Sequence, residues 1–312
     1  MNLKKVLIIY NPKSGRFSEK KLYYILNFFK HKNIFANILN ILEASIEKEY
    51  IENSYDAVLV AGGDGSLNYV INTMVYSKIP IAHLPMGTVN LFAMENKTPH
   101  SLKKALPEII ETYKPVKISL GLANERFFFA MTGIGLDAFI VKNMEEKIRK
   151  NKKRIYNNFM KYVSYILNII KMTKKYRFYD LCIKNSTEKI TCAKEIIVSN
   201  IRYYGGPFKI FPNNSPLDDK FHIRTVQNAA GTIDVIFSIL KSLIFYKKYS
   251  NNPDFYKKDD EIIITSMDDL TDKLIYYQCD GEFAGTLPVK IKKAKNAITM
   301  LINPNYFPLS HQ

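Results

Sequence analysis

Between Ala57 and Asn72 the chain reads AVLVAGGDGSLNYVIN, an apolar run that enters Gly62-Gly63-Asp64-Gly65-Ser66 and then a helical-looking segment. A buried strand, a glycine turn and a helix N-terminus together make an anion site. The N–H groups of the first turn lack partners, the helix dipole adds positive charge, and glycine lets a phosphate approach the backbone. Ser66 can cap the helix or donate to a phosphate oxygen. The loop is neither GxxxxGK[ST] nor GxGxxG, so a tight turn needing positive φ is the competing reading. Asp64 weighs against a mere turn, because a carboxylate in a phosphate cradle has to orient a cation or the backbone that holds a nucleotide. Two further segments repeat the design: NPKSGR (Asn11–Arg16) after a first apolar run, and LPMGTVN (Leu84–Asn90) after a fourth. Three polar glycine turns at strand ends converge on one edge of a parallel sheet, where α/β proteins place their ligands.

The elements that must carry these turns are legible as apolar runs. KKVLIIY, FANILNIL, DAVLVAGG and IPIAHLPMG read as strands, and the spacing of Leu22, Ile25, Leu26 and Phe29 predicts a helix over Glu19–Lys32. A second helix is expected from about Leu67 to Tyr76. Strands alternating with helices predict a parallel, doubly wound sheet, and the unbroken apolar runs suit strands covered on both faces. After about Lys117 the rhythm changes to short runs such as RFFFAMTG, EKITCAKEIIVSN, KFHIRTVQ, DEIIITS and KLIYYQCDGE, which read as antiparallel strands. Two helices interrupt them, Ile155–Met172 and Thr232–Tyr249. The expected division is an α/β nucleotide-binding domain over 1–118 and a mainly antiparallel β domain over 119–312, whose helices face lipid or membrane.

NPKSG, GGDGSLNYVIN, LPMGTVNLFA, SNIRYYGG, FPNNSPLDD and CDGEFAG, in this order, resemble the diacylglycerol kinase catalytic-domain family, most closely its soluble bacterial members. The resemblance implies an NAD kinase-like α/β nucleotide domain followed by a β-sandwich-like domain, with the active site in the cleft between them. It also implies an ATP-dependent lipid kinase acting on a hydroxyl of diacylglycerol or a related membrane lipid. Asn11, Ser14, Gly15, Gly62, Gly63, Asp64, Gly65, Ser66, Thr88 and Asn90 would then lie around the nucleotide. Glu282 of CDGEFAG becomes the general base, with Asp280 and Asp64 the accompanying catalytic acids. In FPNNSPLDDKF the resemblance puts a Mg²⁺ on the Asp218 carboxylate and the carbonyls of Ser215 and Lys220, hard oxygen ligands that suit the ion. Asp219 stands where the family prefers glycine, and Tyr69, Leu91 and Ser119 stand where it often carries acids. Those departures keep open a non-catalytic lipid- or nucleotide-binding protein, and an NAD-kinase-like enzyme with a soluble substrate is the other alternative.

Composition bounds the partners. The 312 residues carry 45 Lys+Arg against 29 Asp+Glu, a net charge of +16. Lys142 to Arg177 holds 12 basic residues and only Glu145 and Glu146 as acids. Such a block seeks phosphate, and beside two apolar-striped helices it points to docking on an anionic membrane surface rather than on nucleic acid, for which no motif is present, with helices packed on their own sandwich behind a solvated basic rim as the competing reading. The apolar start is too short for a signal peptide and no window spans a bilayer, so the expected place is the cytoplasm, against the inner membrane face. Cys182, Cys192 and Cys279 form no metal or disulfide pattern, and His31, His83, His100, His222 and His311 have no ligand spacing. Oligomeric state is not encoded legibly, and a homodimer stays open.

Overall fold

In the computed structural model, which describes residues 3–43, 45–150, 176–185, 190–206, 208–227, 256–267 and 274–306, the first four strands form the expected parallel sheet. They are β1 (Lys5–Tyr10), β2 (Phe35–Asn40), β3 (Ala57–Gly62) and β4 (Ile81–Pro85), in spatial order β2-β1-β3-β4. The unbroken apolar runs have a direct structural cause. Val6 and Ile8 pack with Leu22, Ile25 and Phe29 of α1 (Glu19–His31) and with Ile109 of α5 (Leu102–Thr112). Leu7 and Ile9 face the other way, onto Val70, Ile71 and Met74 of α3 (Asp64–Met74). Both faces of β1 are thus covered, so alternation would have buried polar groups without partners.

The helix after the central glycine turn starts at Asp64, three residues before its expected start, because Gly63 is its N-cap and an aspartate in the first turn suits the positive end of the dipole. Three short helices had no clear signal in the sequence: α2 (Ile46–Glu52), α4 (Leu91–Glu95) and α5, which holds Pro107 in its interior.

Beyond β4 the chain builds a sandwich. β5 (Lys114–Ala123) pairs antiparallel with β18 (Val289–Ile302), and β18 meets β4 in parallel at Met300↔Ile81. β15 (Glu261–Ser266), β8 (Leu181–Asn185) and β9 (Ile190–Ala193) extend that sheet, while β6 (Arg126–Phe128) pairs with β5. A six-stranded antiparallel sheet lies opposite in the order β14-β13-β10-β7-β16-β17. Its members are β7 (Met131–Ile134), β10 (Glu195–Ser199), β13 (Phe221–Val226), β14 (Tyr256–Asp259), β16 (Tyr276–Cys279) and β17 (Glu282–Thr286). Ile183, Ile262, Ile264, Val289 and Ile291 from one sheet pack against Ile134, Ile196, Val198, Phe221 and Ile223 from the other. The fold is therefore the expected α/β sheet plus β-sandwich. A cut after residue 118 falls inside β5, and β18 carries the last part of the chain back beside β4. A further helix, α6 (Leu136–Lys150), follows β7. The helices expected over 155–172 and 232–249 lie outside the described residues. Among the described residues no helix is long and apolar enough to cross a membrane.

A buried ion pair ties the two halves together. Glu95 at the end of α4 accepts from Arg202 Nε at 2.9 Å and from the Tyr306 hydroxyl at 2.5 Å, and Arg202 also donates to the Glu95 carbonyl at 3.0 Å. Burial pushes the Glu95 carboxyl up and the Arg202 guanidinium pulls it back down. Arg202→Met would leave that carboxylate buried without its cation. The variant is expected to lose about 3–5 kcal/mol of folding stability in urea titrations.

Candidate active site

The three glycine turns meet at the C-terminal edge of β1, β3 and β4. A Cβ at Gly87 would lie 2.5 Å from Gly63 Cα, so the two loops touch backbone to backbone. A Cβ at Gly15 would lie 3.2 Å from Thr88 Oγ1, and one at Gly62 would lie 2.6 Å from Ser66 Cβ. Polar contacts finish the join. Asn11 Nδ2 donates to Ser66 Oγ at 2.8 Å, and Arg16 N–H to the Met86 carbonyl at 2.9 Å. Asn90 sits in the left-handed region at φ 62 and is fully buried. Its side chain accepts from Gly87 N–H at 2.8 Å and donates to the Gly87 carbonyl at 3.0 Å, while its N–H donates to Asp64 Oδ2 at 2.9 Å. Through that last bond Asp64 fastens the third turn to the start of α3.

The first intrahelical bond of α3 runs from Leu67 N–H to the Gly63 carbonyl at 3.0 Å. The N–H groups of Asp64, Gly65 and Ser66 precede it and carry the helix's positive end. They border a cleft of about 690 Å³ lined by Ser14, Gly15, Gly63, Gly65, Ser66 and Thr88, with Ile41 and Leu42 on one side and Glu282 across it. That volume suits a nucleotide, within the ~300–1,000 Å³ usual for small-molecule sites. No lysine or arginine lines it among the described residues. Tyr69, 52% exposed, forms part of the wall. Leu91 is buried at the start of α4, and Ser119 is buried with its N–H on the Pro216 carbonyl at 2.8 Å.

The sandwich supplies the other wall. Asp280 stands at φ 52 in the β16–β17 turn. Its carboxylate accepts from the N–H groups of Phe129 at 2.7 Å, Ala130 at 2.8 Å and Met131 at 2.9 Å. Of the three acids proposed from sequence, Asp64 and Asp280 thus hold backbone, while Glu282, two residues past Asp280, reaches the cleft. A Cβ on Gly65 would lie 3.1 Å from Glu282 Oε1, so the glutamate faces the N-terminus of α3. The sequence reading missed Arg126 on β6, which forms an ion pair with Glu282 Oε2 and donates to the Phe283 carbonyl at 3.3 Å. No local motif marks it, because 156 positions separate it from its partner. Also missed is a part-buried chain beneath the turn: Gly281 N–H donates to Gln278 Oε1 at 2.7 Å, and Gln278 Nε2 donates to Asp137 Oδ2 at 2.8 Å.

The residues read as Mg²⁺ ligands lie outside this cleft. Asp218 N–H donates to the Ser215 carbonyl, and Asp218 Oδ2 accepts from Ser215 N–H, both at 3.0 Å. The turn is already closed by its own hydrogen bonds and has a lysine, Lys293, buried in its field. Lys220 is exposed at its end. Among the described residues no group of three or more His, Cys, Asp or Glu side chains could hold a metal.

Residues 5–121 match the family model described as the diacylglycerol kinase catalytic domain. A diacylglycerol kinase of Staphylococcus carnosus (strain TM300) is 24% identical over 303 residues, 95% of this chain and 94% of the relative. One from Staphylococcus aureus (strain bovine RF122 / ET3-1) is 25% identical over 294 residues, 91% of this chain and 88% of its own. The crystal structure of a diacylglycerol kinase from Bacillus anthracis str. Sterne superposes with a TM-score of 0.72 at 24% identity, covering 97% of this chain and 99% of that one. A yeast NADH kinase does so with a TM-score of 0.55 at 10% identity, covering 96% of this chain and 83% of its own. The fold is the one that the chain shares with these bacterial diacylglycerol kinases and with the NADH kinase.

Two outcomes follow from this geometry. Gly87→Ala forces a methyl against the Gly63 backbone and should lower stability by about 1–3 kcal/mol, read from urea unfolding. Burial pushes the Asp280 carboxyl up to about 6 against its three N–H donors, with the charge of Asp64 adding to the rise. A group raised on folding stabilises below its ordinary value and loses that contribution as pH climbs through the folded one. Unfolding free energies from about pH 4 to 7 should therefore contain a component that falls through about 6 and is absent in Asp280→Asn.

Proposed function

We propose, from the match of residues 5–121 to the diacylglycerol kinase catalytic-domain model, that the protein is an ATP-dependent lipid kinase. It transfers the γ-phosphoryl group to a hydroxyl of diacylglycerol or a related membrane lipid. The observation that carries this reading is Glu282 from the sandwich facing the N-terminus of α3 across the cleft. That match supports a phosphotransferase, and the glycine cradle supports a polyphosphate donor. The N–H groups of Asp64, Gly65 and Ser66 with the hydroxyls of Ser14 and Thr88 would hold the donor's phosphates. Mg²⁺ enters as part of the MgATP substrate and neutralises the oxygens of its β- and γ-phosphates.

The chain's own residues then have defined work. Phosphoryl transfer asks the protein for in-line positioning, charge compensation and a proton acceptor. Glu282 takes the proton of the acceptor hydroxyl while that oxygen bonds to the γ-phosphorus and the β–γ bridging oxygen leaves on ADP. Asp280 fixes the turn from which Glu282 projects, through three backbone N–H groups. Arg126 pairs with Glu282 and orients it, and it supplies beside the transferred group a positive charge that the cleft walls themselves lack. The acceptor comes from a bilayer, and the net charge of +16 supports an anionic one.

Labelled ATP incubated with vesicles of phosphatidylglycerol and diacylglycerol should pass label to an extractable lipid. Label on NAD, or none on any of a broad lipid panel, would refute the assignment. Glu282→Gln is expected to lower kcat by about 10²–10⁴ while leaving nucleotide affinity intact. Arg126→Gln should lower kcat by about tenfold or more, with Arg126→Lys recovering part of it. An Arg126→Gln enzyme with wild-type kcat would remove that residue from the site.

A further inference from the structure

Leu181 and Ile183 of β8 and Ala193 of β9 are buried in the sandwich core. Side chains alternate along a strand, so Cys182 and Cys192 are turned to the other face. The two strands pair antiparallel with Leu181↔Ala193, Cys182↔Cys192 and Ile183↔Thr191, which sets the cysteines directly opposite one another. A slip of one position would carry the apolar set out of the core, so burial fixes this register. An ion pair on the cysteines' own face reinforces it: Lys194 Nζ lies 2.8 Å from Asp180 Oδ1, two residues along each strand. The two sulfurs come to 3.6 Å. Sequence spacing did not mark the pair, because ten positions separate the cysteines and only the strand pairing brings them together.

Opposed residues of an antiparallel pair have Cα atoms about 4.5–5.5 Å apart, inside the ~4.4–6.8 Å that a disulfide spans. The bond itself is ~2.05 Å long, so the sulfurs have to approach by about 1.5 Å, which side-chain rotation can supply. The two thiols are not equivalent. Cys192 is exposed and Cys182 is half-buried, while the third cysteine, Cys279, is buried in the opposite sheet. Burial and the neighbouring sulfur push the Cys182 thiol up to about 11, so at neutral pH Cys192 is the sulfur that meets an oxidant first. We propose that Cys182 and Cys192 are a reversible modification site that closes to a disulfide by exchange with a small dissolved disulfide of the glutathione type. The Cys192 thiolate attacks one sulfur of the oxidant; a mixed disulfide forms, the oxidant's S–S bond breaks, and one small thiolate leaves. Cys182 then gives its proton to water and attacks Cys192 Sγ; the internal S–S bond forms and the second small thiolate leaves. Each protein sulfur is oxidised by one electron, and the two sulfurs of the small disulfide are reduced by the same total. The bond ties β8 to β9, the last strand of its row among the described residues. This inference concerns the sandwich and does not depend on what the cleft phosphorylates.

The test treats the folded whole chain with a mixture of oxidised and reduced glutathione, quenches it with acid, and counts thiols after unfolding in urea. The fully reduced chain should show three thiols, and the oxidised chain should lose two of them and keep Cys279. Peptide mass mapping should find Cys182 linked to Cys192 within one chain, and dithiothreitol should restore all three thiols. Cys182→Ser should stop after the first exchange, with one glutathione held on Cys192, and Cys279→Ser should close like the wild type. The same mixture applied to chain already unfolded in urea should give less of the bond, since strand pairing no longer holds the sulfurs opposite. Three thiols surviving on the treated wild type, glutathione left on Cys192 beside an unreacted Cys182, or a link between two chains would each overturn the proposal. Equal closure in the folded and unfolded chain would overturn it too. Should a serine variant fail to fold, the wild-type thiol count and peptide map still decide.

Discussion

Two glycine backbones touching at one sheet edge set the rest of the site. β3 and β4 run parallel in register as far as Gly62↔Pro85, so their loops leave side by side at the same height. Neighbouring strands lie only about 4.8 Å apart, which leaves no room for a Cβ on either Gly63 or Gly87. Because the loops close up, Asn90 can bond Gly87 on both sides and hand its N–H to Asp64. Because Asp64 is held there, α3 begins at that point and directs its unpaired N–H groups into the cleft. A single methyl group at the contact would push the turn, the helix start and the third loop apart together.

The charge distribution follows from the same economy of parts. The cleft walls offer backbone N–H groups and hydroxyls and, among the described residues, no lysine, so an anion there would meet a helix dipole rather than a side-chain ammonium. Three acids crowd the region, yet each has a different environment. Asp64 accepts from Asn90, Asp280 from three amides, and Glu282 from Arg126. The first two make shape and the third remains half-exposed at the cleft. The resemblance makes Glu282 the general base with Asp280 and Asp64 as accompanying acids, and residue types do not record what each oxygen accepts.

Legibility tracked the range of the interaction. The parallel strands were visible because burial on both faces writes itself as unbroken apolar runs, and the glycine turns because close backbone approach tolerates no other residue. α4 and α5 were not visible: one has five residues, and the other carries Pro107 inside it. Arg126 and Arg202 were missed for a different reason. Each finds its carboxylate more than a hundred positions away in sequence, and only the folded sheets bring them together.

The rejoining of β18 also bears on how Glu282 is held in place. A boundary near residue 118 suggests two lobes joined by a linker, with the cleft formed by their chance approach. Instead the path from Glu282 to the glycine loops crosses one side-chain ion pair and then follows paired strands. Glu282 is paired to Arg126 on β6, β6 to β5, β5 to β18, and β18 to β4, whose end carries the Gly87 loop. The register of β5 with β18 shifts only between Ala294 and Ile298, where Asn296 adopts φ 51. That irregularity lets one strand bend out of the sandwich and into the parallel sheet. The position of Glu282 relative to the Gly87 loop therefore depends on strand pairing beyond its ion pair, a stiffer restraint than a loop could impose.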